Sequence, residues 1–188
     1  MKINLGCYDK KLPGFTNIDI RPEANPDIVD DAFELKTISN NSVELIYSSH
    51  MLEHLNYEDA KSALKLWYSK LIDGGILRLA VPDFEAICKR YIYTGNINEL
   101  LHSICGSQKH DFDYHYNVFD ETRLRNLLLE AGFKSVSKYN WWERTPHNYC
   151  DDFSQSYIPA TERTIALSHG RVIHGQAILM SLNLEAIK

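Results

Sequence analysis

The chain has 188 residues, 44% hydrophobic and 24% charged, which suits one packed domain and excludes a disordered chain. Lys and Arg total 20 against 25 Asp and Glu, a net charge of −5, so no bulk basic field exists to hold a nucleic acid through its phosphates. The four cysteines, Cys7, Cys88, Cys105 and Cys150, include no C-x-x-C pair and read as reduced thiols rather than zinc ligands.

The run Met1 to Gly6 enters a turn without the apolar stretch of a signal peptide, and nowhere do roughly 18 apolar residues follow one another. A cytoplasmic protein without a membrane span is expected. Short apolar runs at Ile3 to Leu5 (closed by Gly6), Thr16 to Ile20, Ile28-Val29 and Val43 to Tyr47 predict four strands. A fifth, Ile76 to Val81, lies between Gly74-Gly75 and Pro82. Ala60, Ala63, Leu64, Trp67 and Leu71 recur at the spacing of one helical face, with Asn56 as cap and Gly74 as stop.

Residues 83 to 119 read as helical over their first two thirds, and a further helix runs from its cap at Asp120 to Gly132. Ser135 to Trp142 and Gln176 to Leu184 supply the last two strands. The 31 residues from Glu143 to Ile173 are long for a plain connection; they suit a lid, or a contact between copies in a homo-oligomer. Alternating strands and helices indicate a mainly parallel sheet covered on both faces, with ligands beyond the carboxyl ends of its strands. Only nine residues, Cys7 to Phe15, separate the first two strands, fewer than a helical crossover needs.

Gly6 allows a ligand to approach the backbone, and Asp19, at the end of the second strand, has the oxygens to accept both hydroxyls of a ribose. A dinucleotide requires G-x-G-x-x-G and a nucleotide polyphosphate requires G-x-x-x-x-G-K-[ST]. The run Gly6-Cys7-Tyr8-Asp9-Lys10-Lys11 has neither. A cofactor with adenine and ribose but no phosphate makes no such demand, and S-adenosylmethionine is one.

Asn4-Leu5-Gly6-Cys7 followed by Pro13-Gly14-Phe15-Thr16-Asn17-Ile18-Asp19, then Asp31, Ser48-Ser49-His50-Met51-Leu52-Glu53-His54-Leu55, Gly74 to Asp83, and Leu128 to Phe133 resemble the small class I S-adenosylmethionine-dependent methyltransferases. The resemblance, to the group like methyltransferase-domain type 11, spans residues 2 to about 136 in the family's order. Tyr8 stands where the family usually has a second glycine. The resemblance implies an α/β, Rossmann-like fold over residues 1–188, with a mostly parallel seven-stranded sheet and an antiparallel C-terminal strand pair. It implies that Gly6 and Cys7 line the methionine moiety, Asp19 with Ile20 takes the ribose, Asp31 and Ala32 meet adenine, and Ser48, Ser49 and His50 flank the sulfonium.

Methyl transfer to a small-molecule or glycan-like acceptor, at oxygen, is the expected activity. For a hydroxyl acceptor the candidate bases are His110 and His115, with Asp111 beside them in the run Lys109 to Tyr116. Asp111, Tyr114, His54 and Trp142 are the candidate acceptor contacts; His54 also fits a histidine tied to backbone. The run from 109 to 116 lacks defined ligand spacing, so no metal site is expected. Two other readings stay open: a non-catalytic module that keeps the cofactor pocket, motivated by Tyr8, and a nucleotide-sugar or dinucleotide enzyme, which the missing glycines disfavour.

Overall fold

The structure, a computed structural model, describes residues 1–141, 152–158 and 178–188. Strands β1 (Lys2–Leu5), β2 (Thr16–Asp19), β3 (Ile28–Val29), β4 (Val43–Ser49), β5 (Leu71–Pro82), β6 (Ser135–Lys138) and β9 (Ser181–Ile187) form a sheet in the order β3-β2-β1-β4-β5-β9-β6. All neighbours pair in parallel except β9, which is antiparallel to both β5 and β6. The expected sheet and its C-terminal pair are both present. Outside it, β7 (Tyr157–Ile158) pairs with β8 (Ile178–Leu179) in a small ribbon.

Helix α1 (Tyr57–Lys70) is capped by Asn56, whose side chain accepts from the amides of Glu58 and Asp59. It ends at Leu71 rather than at Gly74. Gly74, with φ +75°, instead turns the backbone within the irregular start of β5, where the pairing with β4 slips between Val43 and Leu45. Helix α2 (Phe84–Thr94) is capped by Asp83, α3 (Leu101–Cys105) is one short turn, and α4 (Glu121–Ala131) is capped by Asp120 and closed by Gly132 in the left-handed region.

The two faces of the sheet differ in chemistry. Ile3, Ile46, Leu77 and Ala186 stand side by side across four strands, and with Leu64 and Trp67 of α1 and Leu124 and Leu128 of α4 they make the main core. One residue along, the register aligns Asn17, Asn4, Tyr47, Arg78 and Glu185 on the opposite face. These are paired by hydrogen bonds: Asn4 Nδ2 to Asn17 Oδ1 at 3.0 Å, Arg78 Nε to Glu185 Oε2 at 2.7 Å, and Tyr47 Oη to Asp152 Oδ2 at 2.5 Å. Among the described residues, α1 and α4 supply the helical cover of the apolar face. The polar row is met at Tyr47 by Asp152, on a short turn (Phe153–Gln155) from the long connection, while α2 buries Ala86 and Ile87 in a separate small cluster with Leu100 and Met180.

The ends of the last two strands also differ from expectation. β6 stops at Lys138, and Tyr139 and Trp141 turn inward and are buried; Trp142 lies outside the described residues. The final strand runs from Ser181 to Ile187 rather than from 176 to 184, because Ile178 and Leu179 leave the sheet to pair with β7. Most of residues 143–173 lies outside the described residues.

Candidate functional site

The strand order reverses between β1 and β4, each of which continues outward on its own side, and such a switch point opens a crevice at the carboxyl ends of the strands. A cleft of about 910 Å³ occupies that place. Gly6, Cys7, Asp19, Ile20, Asp31, Ala32, Ser49 and His50 line it, as do His54, His110, Asp111 and His115. Ser48 does not. Successive strand residues face opposite sides, and Ser48 aligns with Leu5 and Leu79 of the core, fully buried with its hydroxyl unpaired among the described residues. Tyr114 is also absent from the lining; it contributes its carbonyl, which accepts from His54 Nδ1 at 3.1 Å.

The first wall is a loop held without a helix. Gly6 adopts φ +65°, and a Cβ there would come within 2.6 Å of Met51 Cγ, so glycine is required both by conformation and by space. Asn17 fixes the loop that follows: Oδ1 accepts from the Leu12 amide at 2.7 Å, and Nδ2 donates to Phe15 O at 3.2 Å and to Asp27 Oδ2 at 2.7 Å. Asn4 Nδ2 donates to Lys10 O at 3.0 Å. Side-chain hydrogen bonds thus do what a crossover helix would do, which resolves the short spacing between the first two strands. Burial first, and the Asp19 carboxylate second, push the Cys7 thiol up to about 11; it is a protonated packing group, not a nucleophile.

Asp19 is 6% exposed. Its Oδ2 accepts from the Tyr8 amide at 2.8 Å and its Oδ1 from the Arg21 amide at 2.9 Å. One such bond per oxygen leaves each with accepting capacity toward the cleft. Tyr8 occupies the left-handed region at φ 42°, the conformation a glycine takes freely. The Arg21 guanidinium lies 4.4 Å from the Tyr8 ring centroid, and Arg21 Nη1 is 3.0 Å from His110 Nε2. Tyr8, Arg21 and His110 so join three separate segments at one rim. At the next strand end, Asp31 Oδ1 accepts from the Phe33 amide at 2.8 Å, and Trp67 Nε1 of α1 donates to Ala32 O at 2.8 Å, fixing that loop to the core.

The far wall centres on Glu53, fully buried, with neither carboxylate oxygen in a hydrogen bond of proper geometry among the described residues. Its carbonyl accepts from the amides of Tyr116 and Asn117 at 2.9 and 3.2 Å, which carries the 106–116 segment against the end of β4. His50 Nδ1 stands 3.3 Å from Glu53 Oε1 and His115 Nε2 stands 4.0 Å from it. Burial pushes the Glu53 carboxyl up, but His50, His54 and His115 outweigh it and hold the group below its usual range. Burial lowers the His115 imidazole against the opposing pull of Glu53, so its ring is neutral near pH 7. Sequence reading missed Glu53, Tyr47, Asp152 and Phe153 as cleft residues; the last two belong to the long connection, and no local pattern connects them with β4.

No protein-family model and no curated protein matches the sequence. Solved structures do match. An S-adenosylmethionine-dependent methyltransferase from Archaeoglobus fulgidus is 18% identical with a TM-score of 0.55, over 100% of this chain and 85% of that one. One from Thermotoga maritima, described as a possible histamine N-methyltransferase, is 15% identical with a TM-score of 0.61, over 100% and 81%. One from Mesorhizobium loti is 14% identical with a TM-score of 0.57, over 100% and 90%. With the cleft at the switch point, this likeness gives the chain the fold of the S-adenosylmethionine-dependent methyltransferases.

Proposed function

We propose that the protein binds S-adenosylmethionine in this cleft and transfers its methyl group to a small-molecule or glycan-like acceptor, at oxygen. The observation that carries the reading is the order of groups along the strand ends: a close-approach glycine after β1, an acid with spare acceptor capacity after β2, Asp31-Ala32 after β3, and Ser49-His50 after β4. That sequence of groups suits an adenosine carrying an amino-acid tail, while a pyrophosphate would find no glycine-rich turn at a helix N-terminus. The Thermotoga protein's description as a possible histamine N-methyltransferase supports a small acceptor.

The cofactor supplies a methyl group on a sulfonium with a good leaving group, so the chain's task is alignment, through effective molarity. Asp19 holds the ribose, Gly6 lets the tail lie on the backbone, and the histidine wall receives the acceptor. His110 or His115 takes the hydroxyl proton as the acceptor attacks. The test is calorimetric titration with S-adenosylhomocysteine, NAD and an ADP-sugar, followed by labelled-methyl transfer to a panel of sugars and small phenols. S-adenosylhomocysteine alone should bind, and Asp19→Ala should weaken it by about 1.5–3 kcal/mol, the range for hydrogen bonds to a charged group. Replacing the histidine that takes the proton should cut turnover by roughly 10²–10⁴-fold with cofactor affinity unchanged. Binding of NAD instead, or unchanged affinity in a folded Asp19→Ala protein, would overturn the reading.

A further inference from the structure

The three histidines around Glu53 are each held by a hydrogen bond on the nitrogen turned away from it. His54 Nδ1 and His115 Nδ1 each lie 3.1 Å from a backbone carbonyl, of Tyr114 and Ser103 respectively, and a carbonyl only accepts. Both rings therefore carry a hydrogen on Nδ1, which leaves Nε2 as the nitrogen free to bind a metal. His50 is fixed by a longer chain. Asn183 Nδ2 donates to Ser154 O at 3.0 Å, so its Oδ1 is the atom that accepts from Ser181 Oγ at 2.9 Å. The hydroxyl hydrogen of Ser181 is thereby used, and His50 Nε2, 3.0 Å from the same Oγ, must be the donor. Its Nδ1 faces Glu53 Oε1 at 3.3 Å, outside hydrogen-bond geometry.

Three imidazoles thus surround a fully buried carboxylate whose oxygens accept no hydrogen bond of proper geometry among the described residues. A buried carboxylate without hydrogen-bond partners is strongly unfavourable unless a cation compensates it. We propose that Glu53, His54 and His115 bind one divalent transition-metal ion, of the zinc or cobalt type, in the wall of the cleft. Their donor atoms lie within 4.8 Å of one another. Ligands at the ~2.0–2.2 Å bond lengths of zinc to nitrogen and carboxylate oxygen stand closer together than that, so the side chains draw inward on binding. Two imidazoles and one carboxylate suit zinc, cobalt, iron or manganese rather than calcium or magnesium, which favour oxygen alone. The Nδ1–H bonds to Tyr114 O and Ser103 O are the outer contacts that orient metal-bound histidines.

The expectation of no metal site came from spacing within residues 109–116; the set assembles only when His115 folds back onto the Glu53-His54 turn. An ion held by three protein ligands keeps a position open toward the cleft, where it would bind an acceptor oxygen and lower its pKa. With His115 engaged as a ligand, the proton would pass to His110. That consequence rests on the methyl-transfer reading; the ion site does not.

The experiment uses tag-free full-length protein, stripped with chelator and titrated with ZnCl2 by calorimetry and with CoCl2 by visible absorption. One equivalent should bind, with ligand-field bands in the cobalt form. His54→Ala and His115→Ala should each weaken zinc binding by roughly 100-fold or more, beyond the loss typical of an outer-shell change, and remove the cobalt bands. His102→Ala, which lines the same cleft outside the set, should retain both. Glu53→Gln should behave as the histidine variants do; if it fails to fold, the two histidine variants carry the test alone. No saturable uptake, or uptake that survives both histidine substitutions, would overturn the site and assign the compensating charge to a proton. S-adenosylhomocysteine is titrated into the same samples: metal uptake without its binding supports the site and overturns the methyl-transfer reading, and the reverse result overturns the site alone.

Discussion

Ser48 and Ser49 are neighbours in the sequence and opposites in the fold. The resemblance places both at the sulfonium, but the period of two along β4 turns Ser48 onto the row of Leu5 and Leu79, where its hydroxyl is buried with no partner among the described residues. Removing an unpaired buried hydroxyl relieves a desolvation cost of about 1–3 kcal/mol. Ser48→Ala should therefore hold or raise the unfolding free energy in urea and leave S-adenosylhomocysteine affinity unchanged; a drop in affinity would return Ser48 to the cofactor site. The place of Gly6 and Asp19 in the cleft was legible because both stand at a strand end. Glu53 was not, because a glutamate beside a histidine reads as a solvated turn until Tyr116 and Asn117 fold over its carbonyl and close it from water. Tyr8 is a different case: its left-handed conformation costs roughly 1–2 kcal/mol, while the Arg21 guanidinium over its ring returns about 0.5–1 kcal/mol. The residue is held there by its neighbours, not by its own preference.

At the scale of elements, the crossover from β1 to β2 is held by side chains. Asn17 bonds two backbone groups and Asp27 in a buried setting, so Asn17→Ala leaves buried partners unsatisfied and should cost several kcal/mol at about 1–3 kcal/mol for each group, measured by urea unfolding. Asp27 extends the network to the surface. The Lys11 ammonium first, then Asn17, holds its carboxyl down at about 2 against an ordinary 3.8. A folded-state value below the unfolded one stabilises the fold above pH ~4 and loses that effect as the pH falls toward 2. The melting temperature of Asp27→Asn should accordingly lie below that of the parent at pH 6, with the gap closing between pH 4 and 2. The strands were legible here because Ile3, Leu5, Ile18 and Ile46 alternate or cluster between turn residues. The β7–β8 ribbon was not, since a two-residue pair such as Tyr157-Ile158 with Ile178-Leu179 carries no periodicity, and it moves the last strand toward the C-terminus.

Across the whole molecule, the sheet separates stability from binding. Trp67, Leu64, Leu124 and Leu128 pack on its apolar face, while the cleft draws on strand ends, the polar row and the 106–116 segment. No helix among the described residues is long and apolar enough to cross a membrane. A ligand that binds only the folded chain adds RT ln(1 + [L]/Kd), about 2.7 kcal/mol at a hundredfold excess over Kd. For a chain of this length, each kcal/mol moves the melting temperature by about 2–4 °C, so S-adenosylhomocysteine at that excess should raise it by roughly 5–10 °C. The two classes of substitution should then separate in a single assay. Asn17→Ala lowers the starting temperature and keeps most of the ligand-induced rise, because it loosens the fold without removing a ligand contact. Asp19→Ala at the same ligand concentration should lose most of the rise: a loss of about 1.5–3 kcal/mol in binding is more than a tenfold increase in Kd. A full rise in Asp19→Ala would place the ligand away from the β2 end, and no rise in the parent would remove S-adenosylhomocysteine as a ligand of this cleft.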